Sequence, residues 1–194
     1  MRSVAFVSGN DHKAKEIIAM GKERGIKIAH IKLPKVEIQS DSNAEIAMKS
    51  AMEAYRNVKK PLIVDDSGLF IRSLGGFPGI YSAYVYKTVG IAGVLRLLHG
   101  ARDRSAQYRT SFCYTDGKTT KLFEGANPGT ISKRMMGARK LESGLASMPY
   151  DVIFIPKGYK KTFSMLSVNL KNRISSRSVA FNKFADFFLK SQKA

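Results

Sequence analysis

The stretch SVAFVSGNDHKAKEIIAMGKERG, from Ser3 to Gly25, changes its hydrophobic period at a glycine. Val4 to Val7 is a continuous apolar run, as a short buried strand requires, and the residues after Gly9 read as a helix with Ile17, Ile18 and Met20 inward. Gly21 or Gly25 stands near the end of that helix. A strand that feeds a helix through a glycine turn marks an α/β protein.

The chain outside this stretch follows the same logic. IKIAHIKL (Ile26 to Leu33) reads as a second strand, and Asp41 or Ser42 can cap a helix through NAEIAMKSAMEAYRNV, with Ile46, Ala47, Ala51 and Ala54 on one side. PLIVDD, ending at Asp65 and Asp66, returns as an apolar strand, and GGFPGIYS makes a tight irregular loop. GIAGVLRLLHG is a short helix ending at Gly100, while SAQYRTSFCYT and TTKLFEG form a hairpin about Asp116 and Gly117. The last helix, SVAFNKFADFFLK, carries Phe181, Phe184 and Phe188 as a core stripe. No repeat or linker separates domains, so residues 1–194 read as a single domain.

Composition narrows the setting. The 194 residues are 44% hydrophobic, enough for a real core, and no run approaches the roughly 18 apolar residues of a membrane span. The start of the chain lacks the architecture of a signal peptide. Cys113, the single cysteine, excludes an internal disulfide and points to a reducing cytoplasm; its place in YRTSFCYT reads as a buried, inert thiol. With 33 Lys and Arg against 15 Asp and Glu, the net charge of +18 favours polyanionic partners. Both a nucleoside triphosphate and a nucleic acid fit, because the positive residues are dispersed.

Chemistry concentrates at two strand ends. Ser8, Gly9 and Asn10 lie where a helix begins, so backbone N–H groups and the positive dipole end invite a phosphate, and Lys13 adds a full charge one turn on. Asp65 and Asp66 close a strand at the edge where open α/β sheets bind ligands. Two adjacent carboxylates repel, and a divalent cation such as Mg²⁺ relieves this while also taking phosphate oxygens. Glu37, in PKVEIQS just after the second strand, is a third acid, and the competing reading makes the aspartates ordinary helix or turn caps. His12, His30 and His99 have no metal-ligand spacing.

Five stretches, in order, resemble the Ham1-type inosine/xanthosine triphosphate pyrophosphatases. SGNDHKAKE is similar to the family's T/S-G-N-x-x-K-x-x-E, and VDDSGLFIRSLGGFPGIYSAY to its [DE]-D-S-G…L-G-G-x-P-G-x-Y-S block. LFEGANPGTI, PYDVIFIP and KNRISSR are similar to its F-x-G-x-x-x-G-x-I, Y-D-P-x-F and K-x-x-x-S-H-R motifs. The resemblance implies an elongated, twisted mixed β-sheet flanked by helices, in two lobes with the active site in the cleft between them. It also implies Mg²⁺-dependent hydrolysis of non-canonical purine nucleoside triphosphates, cytoplasmic nucleotide-pool sanitation and a homodimer. Ser8, Gly9, Asn10 and Lys13 would hold the triphosphate, Glu37 and Asp66 the metal with help from Asp65, and Asp66 would accept the proton of the attacking water. Ser67 would lie beside the substrate, Lys171 and Arg177 would contact the nucleotide, and Tyr150 and Asp151 would shape the base pocket.

Three positions depart from the family pattern. Ser176 stands for a histidine that would hydrogen-bond the base, and its hydroxyl can donate or accept. Met148 stands where an aromatic ring would stack. A phosphate-binding lysine falls at Ser50, with Lys49 one residue away. Poorer selection of ITP over ATP is the expectation from Ser176 and Met148; a degenerate family member with relaxed base specificity, or a basic nucleic-acid-binding protein on the same scaffold, is the alternative.

Overall fold

The computed structural model describes residues 2–33, 40–137 and 149–191, which fall into two compact units. The first comprises Met1–Ser67, Thr110–Gly125 and Ser176–Ala194. It opens with strand β1 (Arg2–Val7) and helix α1 (Asp11–Glu23), whose N-cap is Asn10. Ile17 and Met20 are buried, but Ile18 is 41% exposed, because about 100° of rotation per residue carries it off the buried face. Helix α1 ends with Gly25 at φ +67°, while Gly21 serves packing. A Cβ at Gly21 would run into the Ile28 side chain and the Ile26 carbonyl on strand β2 (Ile26–Ile31).

Strand β1 pairs in parallel with β2, from Arg2 opposite Ile26 to Val7 opposite Ile31, and with β3 (Leu62–Ile71), Ala5 opposite Leu62. Parallel neighbours require crossovers, supplied by α1 and by α2 (Asn43–Val58). Ser42 Oγ caps α2 by accepting from the Glu45 N–H at 3.4 Å, and Ile46, Ala47, Ala51 and Ala54 are buried. Strands β5 (Ser105–Thr115) and β6 (Thr120–Ile131) form the hairpin, its turn held by Asp116 Oδ1 accepting from the N–H groups of Lys118 and Thr119 at 3.0 and 2.7 Å. Helix α6 (Ser176–Ser191) lays Phe181, Phe184 and Phe188 against Phe6, Ile17 and Phe112.

The second unit comprises Gly68–Arg109 and Ala126–Ser175. Here β4 (Pro78–Gly79) pairs antiparallel with β3, and the two backbones approach so closely that a Cβ at Gly68 would meet the Gly79 carbonyl. Helices α3 (Ser82–Thr88) and α4 (Gly90–Leu97) follow; only α4 is anticipated by the sequence reading. Strand β7 (Phe154–Pro156) pairs antiparallel with β6, and α5 (Val168–Ile174) is a single short helix. Leu69, Ile71, Val94, Tyr108, Tyr150, Phe154 and Phe163 make this unit's core. Among the described residues the strand order is β2-β1-β3-β5-β6-β7 with β4 on β3, a mixed seven-stranded sheet. Among the described residues no helix is long and apolar enough to cross a membrane.

Candidate active site

Strand β3 does not stop at its aspartates; it runs on to Ile71, so Asp65 and Asp66 cap nothing and their side chains leave opposite faces. Asp65 accepts from Lys13 Nζ at 3.1 Å on Oδ1 and lies 3.0 Å from it through Oδ2. Its Oδ2 also accepts from Arg177 Nε at 3.5 Å and from Ser67 Oγ at 3.1 Å. Asp66 keeps different company: its Oδ2 accepts from Asn43 Nδ2 at 2.5 Å. Both carboxylates are buried.

Arg177, on the first turn of α6, is 5% exposed and also pairs through Nη1 with Glu16 of α1. Burial opposes its charge, but the Glu16 and Asp65 carboxylates outweigh burial and hold the guanidinium above its ordinary pKa. Lys13 and Glu16 stand three residues apart on one face of α1, so the helix presents a cation and an anion together. The result is a compact alternating cluster: Lys13, Asp65, Arg177, Glu16.

The turn before α1 differs from the sequence expectation in one respect. Asn10 Oδ1 accepts from the N–H groups of His12 and Lys13 at 3.0 and 3.1 Å, and the Asn10 N–H donates to Ser8 Oγ at 3.1 Å. Asparagine is among the best N-caps, so the turn satisfies with its own side chains the donors that a phosphate would use. The Ser8 carbonyl lies 2.8 Å from His30 Nε2, and a carbonyl only accepts, so that nitrogen carries a proton.

Three hydroxyls continue from Asp65. Ser67 Oγ lies 3.0 Å from Thr110 Oγ1 of β5, which lies 2.9 Å from Ser176 Oγ. Ser176 thus joins a line of hydroxyls ending on the carboxylate.

In the second unit, Asp151 is fully buried; its Oδ2 accepts from Lys171 Nζ at 2.5 Å and its Oδ1 from the Tyr108 hydroxyl at 3.2 Å. Tyr150 donates to the Ser82 carbonyl at 2.9 Å, and burial pushes its phenol up to about 12. Glu37 and Met148 lie outside the described residues. On α2, Lys49 points outward and pairs with Glu45 at 2.9 Å, whereas Ser50 lies on the buried face. Lys49 therefore does not occupy the direction in which Ser50 projects.

The sequence pattern of the Ham1 family matches residues 4–187. The chain belongs to the Ham1 family. It is 43% identical over 184 residues to the dITP/XTP pyrophosphatase of Saccharolobus solfataricus, covering 95% of this chain and 92% of that protein. It is 37% identical over 190 residues to the dITP/XTP pyrophosphatase of Thermococcus kodakarensis, covering 98% and 99%. A HAM1 protein from Coxiella burnetii has the same fold, with a TM-score of 0.83 at 24% identity over 98% of this chain and 100% of that one.

For this Ham1-family chain the sequence reading leaves three residues of the site without a role: Glu16, Asn43 and Thr110. Glu16 carried a signal, since its spacing from Lys13 puts both on one helical face. Asn43 and Thr110 carried none, because each meets its partner across 23 and 43 residues of chain respectively.

Proposed function

We propose that this chain hydrolyses non-canonical purine nucleoside triphosphates, dITP and XTP among them, to the monophosphate and pyrophosphate. The observation that carries the reading is 43% identity, over 95% of the chain, to a dITP/XTP pyrophosphatase. The geometry supports it: two cations, Lys13 and Arg177, stand in one unit with two buried carboxylates on consecutive residues of β3. Lys13 grips the triphosphate, with Ser8, Gly9 and Asn10 forming the turn beside it, and Arg177 stands toward the purine's 6-oxo edge. Asp66 orients water for attack on the α-phosphorus and takes its proton as the bond from that phosphorus to the bridging oxygen breaks and pyrophosphate leaves. Ser67 lies beside the substrate; Lys171 and Arg177 contact the nucleotide, and Tyr150, Asp151, Ser176 and Met148 shape the base-reading groups.

The donors suit a hard divalent cation. Asp66 offers carboxylate oxygen and is oriented by the Asn43 amide, the kind of supporting contact that metal-binding carboxylates use. Mg²⁺ would be held by Asp66 with Glu37, and when bound it neutralises charge on the phosphate oxygens. Asp65, occupied by Lys13, Arg177 and Ser67, supports this shell by holding the cations in place. A homodimer in the cytoplasm completes the proposal.

The test is Asp66→Asn. Removal of a general base lowers rates by about 100- to 10,000-fold, so release of pyrophosphate from dITP should fall by at least about 100-fold with the circular dichroism spectrum unchanged. Undiminished release would remove the mechanism.

A further inference from the structure

We propose that Thr110 is a positioning residue for the triphosphate grip, acting through a line of hydroxyls whose protons all point toward Asp65. The direction follows from counting protons. Ser67 donates its single proton to Asp65 Oδ2 at 3.1 Å. Its contact with Thr110 at 3.0 Å must then use the Thr110 proton. The Thr110 contact with Ser176 at 2.9 Å must in turn use the Ser176 proton. A carboxylate that only accepts, ion-paired with Lys13 and Arg177, leaves no other arrangement in which all three bonds form.

Thr110 is the middle link and is 1% exposed, Ser176 is 5% exposed, and a buried hydroxyl is costly unless bonded. Valine has the shape of threonine without the hydroxyl, so shape alone does not account for threonine at this point of β5. The line ties β5 and the start of α6 to β3 at the oxygen of Asp65 that also takes Arg177. Bonds in such a line strengthen one another, so cutting the middle loosens the carboxylate on which both cations are set. The polarity also settles what Ser176 can offer a ligand: its proton is committed to Thr110, and only acceptor lone pairs remain.

The inference rests on the reading that Lys13, held by Asp65, grips the triphosphate. Thr110→Val, Thr110→Ser and Ser67→Ala are compared with the wild type for binding of inorganic tripolyphosphate by calorimetry and for kcat and KM on dITP. Thr110→Val should weaken tripolyphosphate binding and raise KM by about tenfold, the scale of one lost hydrogen bond to a charged network, with kcat changed less than about threefold. Thr110→Ser should restore both to within about twofold. Ser67→Ala cuts the line at another link and should weaken tripolyphosphate binding to the same degree, should Thr110→Val fail to fold. Wild-type binding by Thr110→Val, equal loss in Thr110→Val and Thr110→Ser, or no tripolyphosphate binding by the wild type would each overturn the proposal. A wild type that binds tripolyphosphate in this Thr110-dependent way yet hydrolyses no dITP or XTP would keep the hydroxyl line and remove the functional reading.

Discussion

Asp65 and Asp66 are neighbours with the same side chain and unlike work. The strand's alternation sends one toward Lys13 and Arg177 and the other toward Asn43. Removing one partner of a buried ion pair leaves an uncompensated charge, so Asp65→Ala should destabilise the protein by about 3–5 kcal/mol in chemical denaturation. Lys49→Ala is the contrast: its pair with Glu45 lies in solvent, and its unfolding midpoint should coincide with that of the wild type. Equal losses in the two variants would contradict the burial that separates them. Ser176 shows the same dependence on surroundings. As a residue type it donates or accepts; bonded to Thr110 in a line that ends on a carboxylate, it donates inward.

At the scale of elements, spacing within one helix was readable and contacts between elements were not. The faces of α2 and α6 follow from apolar residues three and four apart, and both are buried as that spacing requires. In α1 the expected inward face of Ile17, Ile18 and Met20 holds for Ile17 and Met20, whereas Ile18 is exposed. Helices α3 and α5, each 7 residues, are too short to show a period, and β7 has only 3. Gly21 is the element-scale test. In an exposed helix, Gly→Ala gains about 0.5–1 kcal/mol, but here the new methyl would meet Ile28 and the Ile26 carbonyl of β2. Overpacking of this kind costs about 1–3 kcal/mol, so Gly21→Ala should lower Tm; a raised Tm would show that α1 can move off β2 without loss.

For the molecule as a whole, Cys113, Tyr114 and Tyr150 are buried acids that shape behaviour in alkali. Burial pushes the Cys113 thiol and the Tyr150 phenol up to about 12, and burial together with Asp116 does the same for Tyr114. Unfolded, these groups lose protons near 9 for the thiol and 10 for the phenols. Between those values and about 12 the unfolded chain binds fewer protons than the folded one, so stability falls as pH rises through that window. Tm should hold steady below about pH 9 and drop steeply toward pH 12, and Cys113 should react with a thiol reagent only on unfolding; native labelling at pH 8 would contradict its burial. The amino-acid sequence by itself determined the α/β class, the buried helix faces, the hairpin at Asp116 and Gly117, and the motif residues Lys13, Asp66 and Arg177, because each rests on local period, turn chemistry or an ordered pattern. Only the tertiary structure decided that Asp65 holds two cations and that Thr110 and Glu16 join the cluster. Those outcomes depend on groups brought together across up to 161 residues of chain, and distance along a sequence carries no record of proximity in space.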